Sequence, residues 1–297
     1  MSKPVEPASH PPSGGQPGKP SDAPPAKPGV RKRWLLAILA LTFLFVLMPF
    51  LFWQATWFGR PLNDAQMEKS LADREHPRAM QHALSQVADR ILSPNPTTRQ
   101  SARRFYPAVV DIAQSGSDAL RLTAAWVMGQ DNSIPEFHQE LVRLLADPNP
   151  MVRRNAALAL VRFADLAGRG EIRAMLEPYP MPAPRAGTLV ARMKPGDAVN
   201  PGTLLGRITA GGGDMEVRSD ISGTIDRWLV PDGATVTAGQ PILLVVPSDA
   251  EVREALRALS LIGEKQDLPA VERFSDHTSA NLRRQAAATA QSIRSRP

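Results

Sequence analysis

Apolar residues follow three different rhythms along this chain of 297 residues. From Trp34 to Trp53 they run almost unbroken, twenty residues without a charge, long enough to cross roughly 30 Å of hydrocarbon as a helix. From about Leu62 to Leu176 they recur at helical spacing, and the same rhythm returns after Pro247. Between Pro180 and Pro247 they alternate in short segments parted by Gly, Pro-Gly and Asp-Gly turns, the pattern of small antiparallel strands. The chain is thus expected to contain one apolar helix, a helical array, and a β-domain that interrupts the array.

The helical part is built from a repeated unit. Leu141, Leu144 and Leu145 mark one helix, Asp147-Pro148-Asn149-Pro150 breaks it, and Val152, Ala156, Ala157 and Leu160 mark a second. At a period of 32 residues, Arg121 matches Arg153 and Ala124-Ala125 matches Ala156-Ala157. Such a period predicts stacked helical hairpins. Small alanine pairs let neighbouring helices approach closely, while Pro and Asp fix the turn geometry. The unit, with an Asp-Pro turn before a Val-Arg and an Ala-Ala-rich second helix, resembles a HEAT repeat. Weaker copies begin at SPNPTTRQSARRFY and, beyond the β-segment, at DHTSANLRRQAAATAQSI.

After Pro247, Ser248 with Glu251 three residues later signals a capped helix start. Val252, Leu256, Leu259 and Ile262 then share one helical face. The economical account continues the array, with the β-domain inserted between two repeats, because a domain whose ends emerge together tolerates insertion. The alternative is a separate C-terminal hairpin packed on the barrel.

The β-segment repeats itself. Gly187-Thr188-Leu189 corresponds to Gly223-Thr224-Ile225, Gly196 to Gly233, Val199 to Val236 and Gly202 to Gly239, at offsets of 36 or 37. A duplicated four-strand unit can close into a flattened barrel that hides its strand edges. The motif G-x-x-V-x-x-G-x-x-L, twice over, resembles the biotinyl/lipoyl-carrier fold, a barrel-sandwich hybrid. In carriers of that family a lysine at the tip of the central hairpin, eleven residues before the glycine matched here by Gly223, holds the cofactor. The resemblance puts Gly212 at that position, and no lysine lies between Lys194 and Lys265. No amine is available there for amide-linked biotin or lipoate, so no cofactor is expected. Gly211-Gly212-Gly213 reads as a compact turn, and Gly223 as a turn residue needing positive φ.

An unmodified lipoyl-like domain beyond one N-terminal anchor also resembles membrane fusion proteins of bacterial efflux and secretion systems. The chain departs from them where three glycines stand in place of a long coiled-coil hairpin, and where helices follow in place of further β-domains.

Charge refines this picture. The net charge of +6 and pI near 10 are concentrated at the start, where Lys3, Lys19, Lys27, Arg31, Lys32 and Arg33 face only Glu6 and Asp22. The remainder carries 29 basic residues (35 less 6) and 27 acidic ones (29 less 2), a nearly neutral body that argues against nucleic acid as a partner. Residues 1–30 contain nine prolines and little that is apolar, the composition of a disordered tail. Arg31-Lys32-Arg33 abuts the apolar run, which predicts a cytoplasmic tail and an extracytoplasmic body. The run exceeds a signal-peptide core and lacks a small-x-small cleavage site, so an uncleaved anchor in the cytoplasmic (inner) membrane is expected, with a periplasmic bulk. Cysteine is absent, which removes disulfides, thiolate metal sites and thiol nucleophiles.

Candidate chemistry is sparse. His76 and His82 stand six apart with Pro77 between them, and His10, His138 and His277 are isolated, so no metal site is expected. No Ser-His-Asp order has a strand-turn-helix context, and GRG at 168–170 or GGG at 211–213 lacks a phosphate-loop frame. Glu171, Glu177, Asp214 and Glu216 show no spacing that pairs them. Arg153, Arg154, Arg162, Arg283 and Arg284 occupy basic positions of the repeat, where bonding to the turn Asp or an adjacent helix is expected.

The resulting expectation is a multidomain α+β protein: tail 1–30, single transmembrane helix 31–58, HEAT-like α-solenoid 62–178, biotinyl/lipoyl-like barrel-sandwich hybrid 181–247, and C-terminal HEAT-like helices 248–295. No catalytic residue is expected. The function expected is that of a membrane-anchored scaffold or adaptor binding protein partners. A divergent membrane fusion protein-type adaptor is the alternative, and a hydrolase with an unrecognised site is a remote third.

Overall fold

The computed structural model describes residues 29–57 and 61–296, in two compact units, 1–60 and 61–297. The first holds α1 (Gly29–Trp57). Residues 29 and 30, expected in the tail, are therefore helical, and the expected disorder of residues 1–28 lies outside the described residues, as does residue 58. Among the described residues no helix is long and apolar enough to cross a membrane, so the expected single transmembrane helix is not supported there.

The second unit opens with α2 (Asp64–Ala72), α3 (Pro77–Ile91), α4 (Pro96–Ala102), α5 (Tyr106–Ser115), α6 (Asp118–Met128), α7 (Pro135–Leu144), α8 (Pro150–Val161) and α9 (Arg169–Ala174). Their starts follow local chemistry. The side chain of Asn63 accepts from the Gln66 N–H in a capping box, those of Asn95 and Asn149 accept from Thr97 and Met151, and proline opens α3, α4, α7 and α8, where its missing N–H costs nothing. After the β-domain come α10 (Asp249–Ile262), α11 (Leu268–Glu272) and α12 (Ala280–Arg294). Ser248 and Glu251 form the reciprocal cap of α10.

These helices stack as hairpins. The second helices form one layer, α3 on α6, α6 on α8, α8 on α10 and α10 on α12. The first helices run behind them, α2 touching α5 and α5 touching α7, while α9 packs on both α8 and α10 and α11 packs on α12. Buried Ala124, Ala125, Ala156 and Ala157 keep this second layer close. A recurrent arginine seals the turn before three of the second helices: Arg121 Nη1 donates to Gly116 O (2.9 Å), Arg153 Nη1 to Asp147 O (2.8 Å), and Arg283 Nη1 to Thr278 O (3.0 Å). Arg121 also holds Asp147 of the next turn through Nε and Nη2, at 2.7 and 3.0 Å.

The insertion point differs from the expected one. The β-domain interrupts a hairpin, between its first helix α9 and its second helix α10, instead of separating two complete repeats. One apolar core draws on both sides of the insertion: Ala157, Ile172, Met175 and Leu176 pack with Val252, Leu256, Leu259, Leu282, Ala286 and Ile293. Arg273 clamps the same seam, donating to both Glu177 carboxylate oxygens at 2.7 Å.

The inserted domain comprises β1 (Tyr179–Pro182), β2 (Gly187–Ala191), β3 (Ala198–Val199), β4 (Leu204–Ala210), β5 (Gly213–Arg218), β6 (Gly223–Trp228), β7 (Thr235–Val236) and β8 (Pro241–Pro247). They form two antiparallel sheets, ordered β1-β8-β6-β3 and β5-β4-β2-β7. The two orders become identical when β1, β8, β6 and β3 are exchanged for β5, β4, β2 and β7. The sequence duplication is thus an internal twofold. Leu189, Ile208, Ile225, Leu243 and Val245 fill the space between the sheets.

Gly223 is required by space. Its φ of 159° is positive, as expected, although the residue opens β6 and does not sit in a turn. A Cβ would lie 2.1 Å from Val246 O and 2.8 Å from Val245 Cγ1, on β8, the antiparallel neighbour of β6. Its twofold mate Gly187 meets Ile208 and Thr209 in the same way.

Gly223→Ala should therefore lower stability by about 1–3 kcal/mol, read as a drop of several degrees in the thermal midpoint, whereas Gly212→Lys, entering open space, should leave it unchanged. Equal losses at both would contradict this packing. Deleting residues 248–297 should strip the cover from Ala157, Ile172 and Leu176 and speed amide exchange in α8 and α9. Unchanged protection there would show that the two helical segments fold separately.

Candidate functional site

Three places stand apart from the apolar cores. The first is the β4–β5 hairpin. Ala210 pairs with Gly213, leaving Gly211 and Gly212 as the two turn residues, and Gly213 takes a φ of 103° that a side chain would resist. A Cβ on Gly212 would meet nothing within 4 Å. Arg185 Nη2 donates to Gly213 O at 3.1 Å, tying this end of the domain to the β1–β2 loop. The internal twofold exchanges this tip with the point where β1 and β8 join the helices.

The second place is that junction. Arg154 on α8 is 2% exposed, with its guanidinium 5.6 Å from the ring centre of Tyr179 on β1 and Nη1 donating to Glu251 Oε1 on α10 at 3.2 Å. The other oxygen of Glu251 accepts the Ser248 N–H at 3.2 Å. One carboxylate thus caps α10 and pairs across the insertion. Burial pushes the Tyr179 hydroxyl pKa up, with Asp220 adding to the shift and the two arginines opposing it. Asp220 is itself raised by burial and then by Asp118, against the pull of Arg153. Met151 of α8 packs against the barrel core.

The third is a cleft of about 790 Å³ between the outer face of the β1-β8-β6-β3 sheet and the C-terminal helices. Register aligns Ala198, Thr224 and Val246 across β3, β6 and β8. All three are exposed, Val246 at 41%, although a solvated outer face would ordinarily be polar. Leu176 and Phe274 form the opposite wall, and Asp249, Arg273 and His277 supply polar groups. Phe274 and His277 meet as a tilted pair, centroids 5.8 Å apart.

Comparison with known proteins agrees with this architecture. Residues 106–176 match the family of HEAT repeats, and residues 179–245 match the family described as biotin-requiring enzyme. The chain joins HEAT repeats to a biotinyl/lipoyl-like domain. Among curated proteins none matches the sequence. Two solved structures share a loose likeness. A designed armadillo repeat protein is 14% identical, with 76% of this chain and 80% of that one covered, at a TM-score of 0.39. An engineered protein is 15% identical, with 77% and 78% covered, at the same TM-score. Likeness at this level carries no argument.

The HEAT-lipoyl chain disperses most of the residues that its sequence singled out. Glu171 faces Arg153 at 3.4 Å, Glu177 holds Arg273, and Glu216 holds Arg218 at 2.6 Å, so each of these three carboxylates has its own arginine. Asp214 pairs in β5 opposite Thr209. His76 pairs with Asp73, His82 with Gln86, and His138 with Asp165, while His277 accepts from the Ser279 N–H. His10 lies outside the described residues. Among the described residues no cluster could hold a metal ion. Arg162 donates to Gln130 and Arg284 to Asn281.

The cleft and the burial of Arg154 were not foreseen. A signal for the cleft existed in Ile242-Leu243-Leu244-Val245-Val246, five successive apolar residues where a half-buried strand alternates. The junction yields a direct test. Arg154→Met leaves Glu251 buried without its cation and should cost about 3 kcal/mol. Adding Glu251→Gln, which keeps the cap, should recover most of that loss. Additive losses in this cycle, followed by denaturant midpoints, would mean that the pair does not couple.

Proposed function

We propose that the protein is a non-enzymatic scaffold, tethered to the cytoplasmic membrane, that docks a protein partner in the cleft between the lipoyl-like domain and the C-terminal HEAT helices. The observation that carries the reading is the aligned row Ala198, Thr224 and Val246, an exposed and mostly apolar floor facing Phe274. An apolar floor with a polar rim is the anatomy of an interaction surface.

Tethering rests on the uncharged run from Trp34 to Trp53 and on the exposed apolar side chains of α1, among them Phe43, Phe45, Met48 and Phe50. A helix apolar on all sides needs lipid or protein around it. Arg31-Lys32-Arg33 favours a cytoplasmic N-terminus and a periplasmic body, and confinement at the bilayer raises the effective concentration of the body for membrane-bound partners. The lipoyl-like domain serves here as a rigid surface, since Gly212 offers no amine. A fusion protein-type adaptor is less favoured, because the hairpin that would bear its coiled coil is closed by Gly211 and Gly212.

Two measurements test this. A photo-reactive residue at Thr224 or Val246 should crosslink one defined membrane-associated partner, and one at Arg192, outside the cleft lining, should not. Equal crosslinking from all three positions would remove the cleft from the reading. A reporter fused after Pro297 should be active only outside the cytoplasm, and cytoplasmic activity would reverse the proposed orientation.

A further inference from the structure

The second-layer helices α8, α10 and α12 each carry an arginine at their fifth residue: Arg154, Arg253 and Arg284. The first of these is covered by the barrel and matched by Glu251. The other two lie beyond the barrel, Arg253 half-buried and Arg284 exposed. Together with Arg257, one turn beyond Arg253, they line a groove of about 490 Å³ between α10 and α12, completed by Asn281, Gln285 and Ala288. Among the described residues no carboxylate lies within salt-bridge distance of Arg253, Arg257 or Arg284. Glu254 feels the charge of Arg257 without pairing with it.

We infer that this groove binds an extended acidic peptide segment, with carboxylates at alternate positions seated on Arg253, Arg257 and Arg284. The complementarity is chemical and metric. Guanidinium groups present forked donors that fit carboxylates two bonds at a time. Asn281 accepts from Arg284 and Gln285 donates to Thr289, so the Asn281 NH2 group and the Gln285 carbonyl oxygen are the amide groups left to meet a peptide backbone. Residues four apart on a helix stand about 6 Å apart, close to the roughly 6.6 Å between side chains on one face of an extended strand. No aromatic side chain lines the groove, so it lacks the stacking platform that single-stranded nucleic acid uses. The repeat position explains the ligand: where the fold supplies its own carboxylate the arginine is internal, and where the array continues past the barrel the same arginine waits for one from outside.

The inference is independent of the cleft, which shares no lining residue with the groove. It is tested with the full-length chain and a fluorescein-labelled peptide of alternating Glu and Gly, about ten residues long to span the groove at ~3.3 Å per residue. Anisotropy should show saturable binding, and the Gln-Gly counterpart should not bind. Arg253→Gln and Arg284→Gln should each weaken binding on the order of tenfold, with thermal midpoints unchanged because both side chains reach solvent. Should either variant fail to fold, exposed Arg257→Glu reads the same contact alone. Retained affinity in these variants, or equal binding of the Gln-Gly peptide, would overturn the assignment. So would phosphatidylglycerol vesicles that displace the peptide and bind through the same arginines. Thr224→Arg and Val246→Arg in the cleft should leave peptide affinity unaltered, and a loss there would move the peptide out of this groove.

Discussion

The pairing of Tyr179 with Val245, where β1 runs antiparallel to β8, is the constraint on which the rest of the molecule depends. Antiparallel partners stand about 5 Å apart at Cα, so the chain leaves the barrel beside the place where it entered. That distance is comparable to the separation of two packed helices, about 8–10 Å. A helical hairpin can therefore open its turn, take in a whole β-domain and still close. If the barrel ends emerged at opposite poles, α9 and α10 could not meet, and the core shared by Ile172, Leu176, Leu256 and Leu259 would not exist.

Closing the hairpin around the insertion leaves polar groups to be satisfied at the seam, and the residues there do double duty. Glu251 caps α10 with one oxygen and pairs with Arg154 with the other. Tyr179 is at once part of the first strand and the aromatic face beside that guanidinium. Arg169 adds a contact to Glu264, and Arg273 one to Glu177. Apolar burial sets the array, while these charge pairs join its helical segments on the two sides of the insertion. The cleft then exists because the sheet carrying Val246 faces helices instead of water on one side.

Local patterns were legible in the sequence and distant ones were not. The Asp-Pro turn at 147–150, the duplicated glycines of the β-domain and the Ser248 cap each rest on residues a few positions apart, and each is found where the pattern put it. The pairing of α9 with α10 joins residues about a hundred positions apart, as Arg154 and Glu251 do, and no periodicity reports it. Arg153 and Arg154 look alike in the chain, yet the first seals a turn and the second is enclosed. Gly223 looks like a turn glycine in the chain, but it opens a strand where the carbonyl of Val246 leaves no room for a side chain, a contact that only the register of β6 on β8 reveals. The cleft was invisible for the same reason: its floor and its wall come from strands and helices that meet only after folding.

The place of the insertion also bears on how such a chain arises and what it tolerates. Because α9 and α10 already touch each other and α8, the repeat closes without the barrel, and the barrel's core takes from the array only the partly buried Met151. Each could have been acquired whole, through a single splice in a surface turn. The same geometry makes the barrel a cassette: another domain with neighbouring ends could occupy that turn, giving the array a different face while its spine stayed as it is.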